Sequence, residues 1–101
     1  MLYDSTKVLL RSMLYSLQGT ATIQWDDQVE LAAECSYEVH QMARPMYRGY
    51  RTDGVNKTAV LVQVSERAAR AIPHVKLMVR AIRRQDAFAA VESGKAALAA
   101  M

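Results

Sequence analysis

The sequence contains a single cysteine, Cys35, and only two prolines among its 101 residues. One cysteine cannot close an internal disulfide, so a scaffold held together by several disulfides is excluded. No stretch approaches the roughly 18 consecutive apolar residues that a membrane-spanning helix needs. The first residues also lack the basic start and the long apolar run of a signal peptide, so we expect a cytoplasmic protein.

Residues with catalytic or metal-binding chemistry are also few. The two histidines, His40 and His74, lie in different predicted helices, and Cys35 and His40 are spaced to lie on different faces of one helix. A zinc site needs about four ligands, and the glycines are too scattered for a phosphate-binding loop. We therefore expect no enzymatic activity, no metal site and no cofactor.

Apolar residues at helical spacing are abundant. They make up 51% of the chain against 23% charged residues, which is the balance of a globular protein. The length predicts one helical domain over residues 1–101. The spacing predicts a first helix from Asp4 to about Gln18, followed by Gly19.

A second predicted helix opens at Asp26 or Asp27, because Asp27 and Glu30 have the spacing of a capping box. Pro45 should end this helix near Arg44. Its apolar residues step by three and four, which is typical of helices that pack on helices. This seam comprises Ala32, Cys35, Val39, Met42 and Met46.

Residues 46–64 admit two interpretations. Asp53-Gly54 is a strong turn signal and the valines that follow favour strand, so a short β-hairpin is one prediction. The other is a third helix that starts near Asn56 or Thr58 and runs to Ala71, supported by high helix propensity. A lone hairpin is only marginally stable in water, so we favour the helix.

Two further helices are predicted downstream. Pro73 should break the chain and stand in the first turn of a fourth helix, and Asp86 can cap a last helix. Small residues on the apolar stripe of that last helix, Ala87 and Gly94, would allow a neighbouring helix to approach closely. The predicted fold is mainly α, a compact bundle of four to five helices.

Charge is distributed unevenly, although the net charge is only +3. Residues 1–45 hold three basic and six acidic residues, whereas residues 46–101 hold ten basic and four acidic ones. Two halves of opposite charge can pack against one another within the chain. Alternatively, the basic half meets an acidic partner.

Two segments carry residues that are typical of binding surfaces. The segment after Pro45 combines tyrosine and arginine, which dominate binding hot spots. Its candidate partner-binding residues are Tyr47, Arg48, Tyr50 and Arg51. The second is a basic face around the predicted helix after Pro73, comprising Arg67, Arg70, Lys76, Arg80, Arg83 and Arg84. Such a face can contact an acidic protein, a nucleic acid or an anionic membrane, or can simply be solvated.

We therefore expect a small non-enzymatic protein-interaction module, such as a regulator, an inhibitor or an assembly factor. It would dock on another protein and form a homodimer or higher homo-oligomer, because apolar seams recur on at least two helices. The alternative is a small nucleic-acid-binding regulator that uses the basic face. The helix–Pro73–helix order has a weak similarity to a helix-turn-helix, although Ile72 occupies the place where the turn would usually hold glycine.

Overall fold

Four α-helices account for most of the chain in the computed structural model. The structure describes residues 2–44 and 55–101, with side chains from residue 62 onward in the second stretch. The helices are α1 (Leu2–Gln18), α2 (Trp25–Ala43), α3 (Val55–Arg83) and α4 (Ala87–Ala100). The prediction of a mainly α bundle is confirmed, with four helices in the described part.

The predicted hairpin near residues 46–64 is not supported. Its second strand would have included residues 55–64, and these belong to α3. Its first strand, near residues 46–52, lies outside the described residues. The described residues contain no strand, because strand propensity depends on context and packing of the helix as a whole against α2 overrides it.

α3 is a single helix of 29 residues that passes through Pro73. The prediction that Pro73 breaks the chain is therefore wrong. Proline removes the N–H that would bond to the carbonyl of Ala69, which costs about 3 kcal/mol in a helix interior. Because Pro73 is exposed, that carbonyl lies on the outer side of the helix, where water can reach it. Packing of α3 against both α2 and α4 stabilises the helix on either side of the proline.

Two predicted helix ends are confirmed. α2 ends at Ala43, and Arg44 adopts extended backbone with φ −64° and ψ 146°, the conformation that a following proline favours. α4 begins after Asp86, whose carboxylate accepts a hydrogen bond of 3.0 Å from the backbone N–H of Ala89. These ends follow from local chemistry that acts within one turn.

The start of α2 differs from the predicted capping box. The helix begins at Trp25, and its N-cap residue, Gln24, makes no side-chain capping bond. The carbonyl of Gln24 instead accepts a 3.0 Å hydrogen bond from the N–H of Gln28, which closes the first turn upstream of both aspartates. Asp26 and Asp27 therefore lie inside the first turn, where their charges favour the positive end of the helix.

A three-residue turn reverses the chain between α3 and α4. Gln85 adopts a left-handed conformation with φ 59°. The N–H of Gln85 bonds to the carbonyl of Ile82 at 3.0 Å, and the N–H of Asp86 bonds to the carbonyl of Ala81 at 2.9 Å. This pair of bonds is the Schellman motif that closes a helix C-terminus, and it makes α3 and α4 antiparallel neighbours.

Contacts between distant residues fix the directions of the other helices. The hydroxyl of Thr6 in α1 lies 2.6 Å from a carboxylate oxygen of Glu38 in α2. The hydroxyl of Tyr3 donates to the backbone carbonyl of Met101, directly after α4. The start of α1 thus lies beside the ends of α2 and α4. The four helices form an up-down-up-down bundle in which α1 and α3 each contact α2 and α4.

The core lies between these four helices. The predicted seam of α2 is buried from Ala32 to Met42, while Met46 lies outside the described residues. The largest fully buried side chains include Leu10, Met13, Met42, Met78 and Ile82. The apolar seams from which we expected an oligomer are therefore used inside one chain, and any partner must meet a different surface.

Gly94 allows α4 to approach two other helices. A Cβ atom at this position would lie 2.7 Å from Cδ2 of Leu14 in α1 and 3.2 Å from Sδ of Met78 in α3. Both distances are shorter than ordinary van der Waals contact. The expectation that a small residue here permits close helix packing agrees with this geometry.

Candidate functional site

The histidine of α2 has a hydrogen-bond partner within its own helix. Nδ1 of His40 lies 2.7 Å from the backbone carbonyl oxygen of Ser36, one turn earlier, so this nitrogen is the donor in that contact. The described residues contain no cluster of three or more His, Cys, Asp or Glu side chains placed to hold a metal ion.

Cys35 is fully buried in the seam of α2, as the sequence predicted. Burial, followed by the negative charges of Glu38 and Glu34, raises the pKa of the Cys35 thiol from 9.0 to about 12. The thiolate is the form that attacks electrophiles and binds metals. Cys35 is therefore a core residue with little thiolate at neutral pH.

We expect the Cys35 thiol to resist alkylation in the folded protein. The rate of iodoacetamide labelling at mildly alkaline pH, measured by mass spectrometry, should rise by roughly a factor of 10³ or more when concentrated guanidinium unfolds the protein. This factor reflects the ratio of folded to unfolded molecules for a marginally stable domain. Burial of Cys35 also makes the stability of the protein depend on pH. The folded state favours the neutral thiol, so the stabilisation that this thiol contributes is fully present below pH 9.0 and is lost as the pH rises toward about 12. Native labelling at the rate of a free thiol would contradict the buried placement.

All six cations of the predicted basic face are exposed. Five of them lie on α3 and one follows it: Arg67, Arg70, Lys76, Arg80, Arg83 and Arg84. Because α3 continues through Pro73, the stretch from Arg70 to Arg83 is an unbroken rod of about 20 Å. A helix-turn-helix at Pro73 is excluded by the same continuity.

The six cations do not share one side of the helix. Lys76, Arg80 and Arg83 follow one another at i, i+4 and i+7 and therefore lie on one side. Arg67 is turned about 140° away from Arg80 around the helix axis. The structure therefore brings together the cations of the second half of α3 and separates Arg67 from them.

Leu77 lies among these cations and is 51% exposed. It has an arginine seven residues away on either side, Arg70 and Arg84, and Arg80 one turn further along. Leu77 is absent from the binding residues predicted from the sequence. Its exposure could have been predicted from helical spacing, because Leu77 lies on the side of the helix opposite Val75, Met78 and Ile82, which point to the core.

The outer face of α2 is acidic. The helix contains five carboxylates and no lysine or arginine. Its exposed residues include Asp26, Glu30 and Glu34, and Tyr37, which is 66% exposed, follows Glu34 by one turn. We call Asp26, Glu30, Glu34 and Tyr37 the acidic face, and it too was not predicted as a surface.

The acidic face and the cations of α3 lie at the same end of the bundle. Leu14 and Met78 both contact Gly94, so these two residues lie at the same height along the bundle axis. Thr6 and Glu38 are in contact and therefore also lie at one height. Because α1 and α2 are antiparallel, Leu14, eight residues after Thr6, lies at the height of Glu30, eight residues before Glu38. Glu30 therefore lies within about one helical turn of the level of Met78.

These opposite charges are neighbours but are not paired. Among the described residues the only ion pair joins Arg84 and Asp86, at 3.4 Å and in contact with solvent. α2 and α3 pack extensively against each other, yet no ion pair joins them within the described part of the chain. Packing of α2 against α3 therefore leaves the charges of their described residues without ion pairs between the two helices.

The other predicted binding surface, comprising Tyr47, Arg48, Tyr50 and Arg51, lies outside the described residues. None of the described helices is both long enough and apolar enough to span a bilayer.

Comparison with protein-family models, with curated proteins and with solved structures finds no match to this chain.

Proposed function

We propose that this protein is a non-enzymatic interaction module that docks on an acidic surface of another protein through the outer face of α3. The observation that carries this proposal is the exposed Leu77 among Arg70, Arg80 and Arg84. Arginine is enriched in binding hot spots. Charges around an apolar contact increase specificity and the rate of association.

Two features favour a protein over a nucleic acid as the partner. Phosphate groups are bound by cations and hydrogen-bond donors, and Leu77 supplies neither. The carboxylates of α2 also lie level with the cations of α3, on a helix whose axis is about 10 Å away. That distance is just beyond the Debye length of about 8 Å at physiological salt, so their repulsion of a polyanion is largely screened there and acts mainly at low salt.

The test compares the wild type with variants of the α3 face. Partners are crosslinked in extracts of the native cell and identified, and the affinity for the purified partner is then measured at two salt concentrations. We expect the double variant Arg70→Glu/Arg80→Glu to lose at least about tenfold in affinity, and Leu77→Ala to lose a similar factor. Lys95→Glu, which changes an exposed cation of α4, is the matched control and should keep the wild-type affinity.

Equal affinity of the wild type and the double variant would overturn the proposal. Binding to DNA or RNA that weakens steeply with salt, and that the same double variant abolishes, would instead establish the nucleic-acid alternative. Melting curves of each variant must match the wild type closely, since exposed substitutions usually change stability by less than about 0.5 kcal/mol.

A further inference from the structure

We infer that Lys76, Arg80 and Arg83 meet the acidic face of a second copy of this chain, in a two-fold symmetric dimer with α2 of each copy against α3 of the other. The inference goes beyond the proposed function, because Arg80 is the one residue that this interface shares with the surface around Leu77. The charges motivate it, because α2 holds five acidic residues and no lysine or arginine, whereas α3 holds six basic residues and one acidic residue.

The contacts of α2 and α3 identify which flanks of these helices are free. Glu38 marks the flank of α2 that turns toward α1, because it contacts Thr6. Met78 marks the flank of α3 that turns toward α4, because it contacts Gly94. The opposite flanks of α2 and α3 turn toward each other and frame one open side of the bundle.

Helical periodicity assigns exposed residues to this side. On α2 they are Asp26, Glu30, Ala33 and Tyr37, and on α3 they are Lys76, Arg80 and Arg83. Half-buried apolar residues lie closer to the core on the same side, namely Val29 and Ile72. The open side therefore has an acidic half, a basic half and partly exposed apolar groups between them.

Electrostatics selects the symmetry axis of such a dimer. A two-fold axis in the interface, parallel to the helices, sets α2 opposite α3 of the second copy and keeps every residue at its own level. An axis across the helices would set α2 against α2, and carboxylate against carboxylate. Because Glu30 is already level with Met78 within one chain, the parallel axis aligns acids with cations without any shift along the helices.

This interface is isologous, so it closes at two copies. Its contacts consist mainly of exposed charges around Tyr37 and a few partly buried apolar groups. We expect a dissociation constant on the order of micromolar, as for small polar interfaces. The constant should rise with salt, because exposed charges are screened.

The test is a charge swap read out by sedimentation velocity at low and high salt. One form carries Lys76→Glu/Arg80→Glu, and the other carries Asp26→Lys/Glu30→Lys. In a dimer of either form alone, like charges would face each other at both α2–α3 contacts, so each form should sediment as a monomer. An equal mixture restores opposite charges at both contacts and should sediment as a heterodimer. Lys95→Glu is the control and should dimerise like the wild type.

Three results would overturn the inference: a wild type that stays monomeric well above micromolar concentration at low salt, a mixture that stays monomeric, or growth beyond two copies. A monomeric wild type whose Arg70→Glu/Arg80→Glu variant still loses an acidic partner protein would refute the dimer and leave the proposed function standing. Circular dichroism of both charge-swap forms establishes that they are folded.

Discussion

Replacing Gly94 with leucine is expected to destabilise the bundle by about 2 kcal/mol, which lowers the melting temperature by roughly 8–16 °C. Even a Cβ atom at this position would lie 2.7 Å from Leu14 and 3.2 Å from Met78. Leu14 is 7% exposed and Met78 is fully buried, so neither side chain can move into solvent. Leucine gains about 1 kcal/mol of helix propensity over glycine, which offsets part of an overpacking cost of about 3 kcal/mol.

Chemical denaturation measures this loss, and a double-mutant cycle locates it. Leu14→Ala alone should cost about 2–5 kcal/mol by leaving a cavity. Combined with Gly94→Leu it should cost less than the sum, because the new side chain fills the space that Leu14 vacates. Ala99→Leu, on the exposed side of the same helix, is the control and should change stability by less than about 0.5 kcal/mol. Additive losses would show that α4 does not approach α1 at Gly94.

Replacing Pro73 with alanine is expected to stabilise the protein by about 1–3 kcal/mol. Alanine restores the N–H that bonds to the carbonyl of Ala69 and removes the clash between the ring and that carbonyl. Part of the gain is lost because alanine gives the unfolded chain more freedom than proline does. The position is exposed, so no core packing changes.

Thermal and urea denaturation of Pro73→Ala measure the gain. Gln63→Ala, another exposed position of α3, is the control, and its effect should stay within about 0.5 kcal/mol. A destabilised Pro73→Ala variant would mean that the proline ring makes contacts that hold α3 in place.

The sequence predicted those features of the fold that depend on residues within one or two turns. The buried seam from Ala32 to Met42 followed from helical spacing. The end of α2 followed from the effect of Pro45 on Arg44, and the start of α4 followed from the capping carboxylate of Asp86. Each of these depends on local sterics or on a single hydrogen bond.

The sequence could not predict features that depend on tertiary packing. Local propensity favours a break at Pro73, but packing against two neighbouring helices keeps α3 continuous. The start of α2 was missed for a different, local reason, because the N–H of Gln28 bonds to the carbonyl of Gln24 and starts the helix upstream of the capping box predicted from Asp27 and Glu30.

The candidate surface was predicted only in part. The cations of α3 were found from sequence, because Lys76, Arg80 and Arg83, with Arg84 just beyond the helix, recur at helical spacing. The absence of ion pairs between the described parts of α2 and α3, the exposure of Leu77 and the height of the acidic face along the bundle were not predictable. Those properties depend on the relative displacement of α2 and α3 along their axes. The spacing of residues within one helix does not determine that displacement.

The contact between Tyr3 and Met101 has a consequence for the order of folding. Three of the four neighbouring helix pairs are consecutive in the chain, whereas α1 and α4 meet through residues 98 positions apart. Local pairs form fastest, because little chain entropy is lost in bringing them together. We therefore expect closure of the bundle between α1 and α4 to come late in folding. Weakening that closure should speed unfolding and leave the rate of refolding almost unchanged.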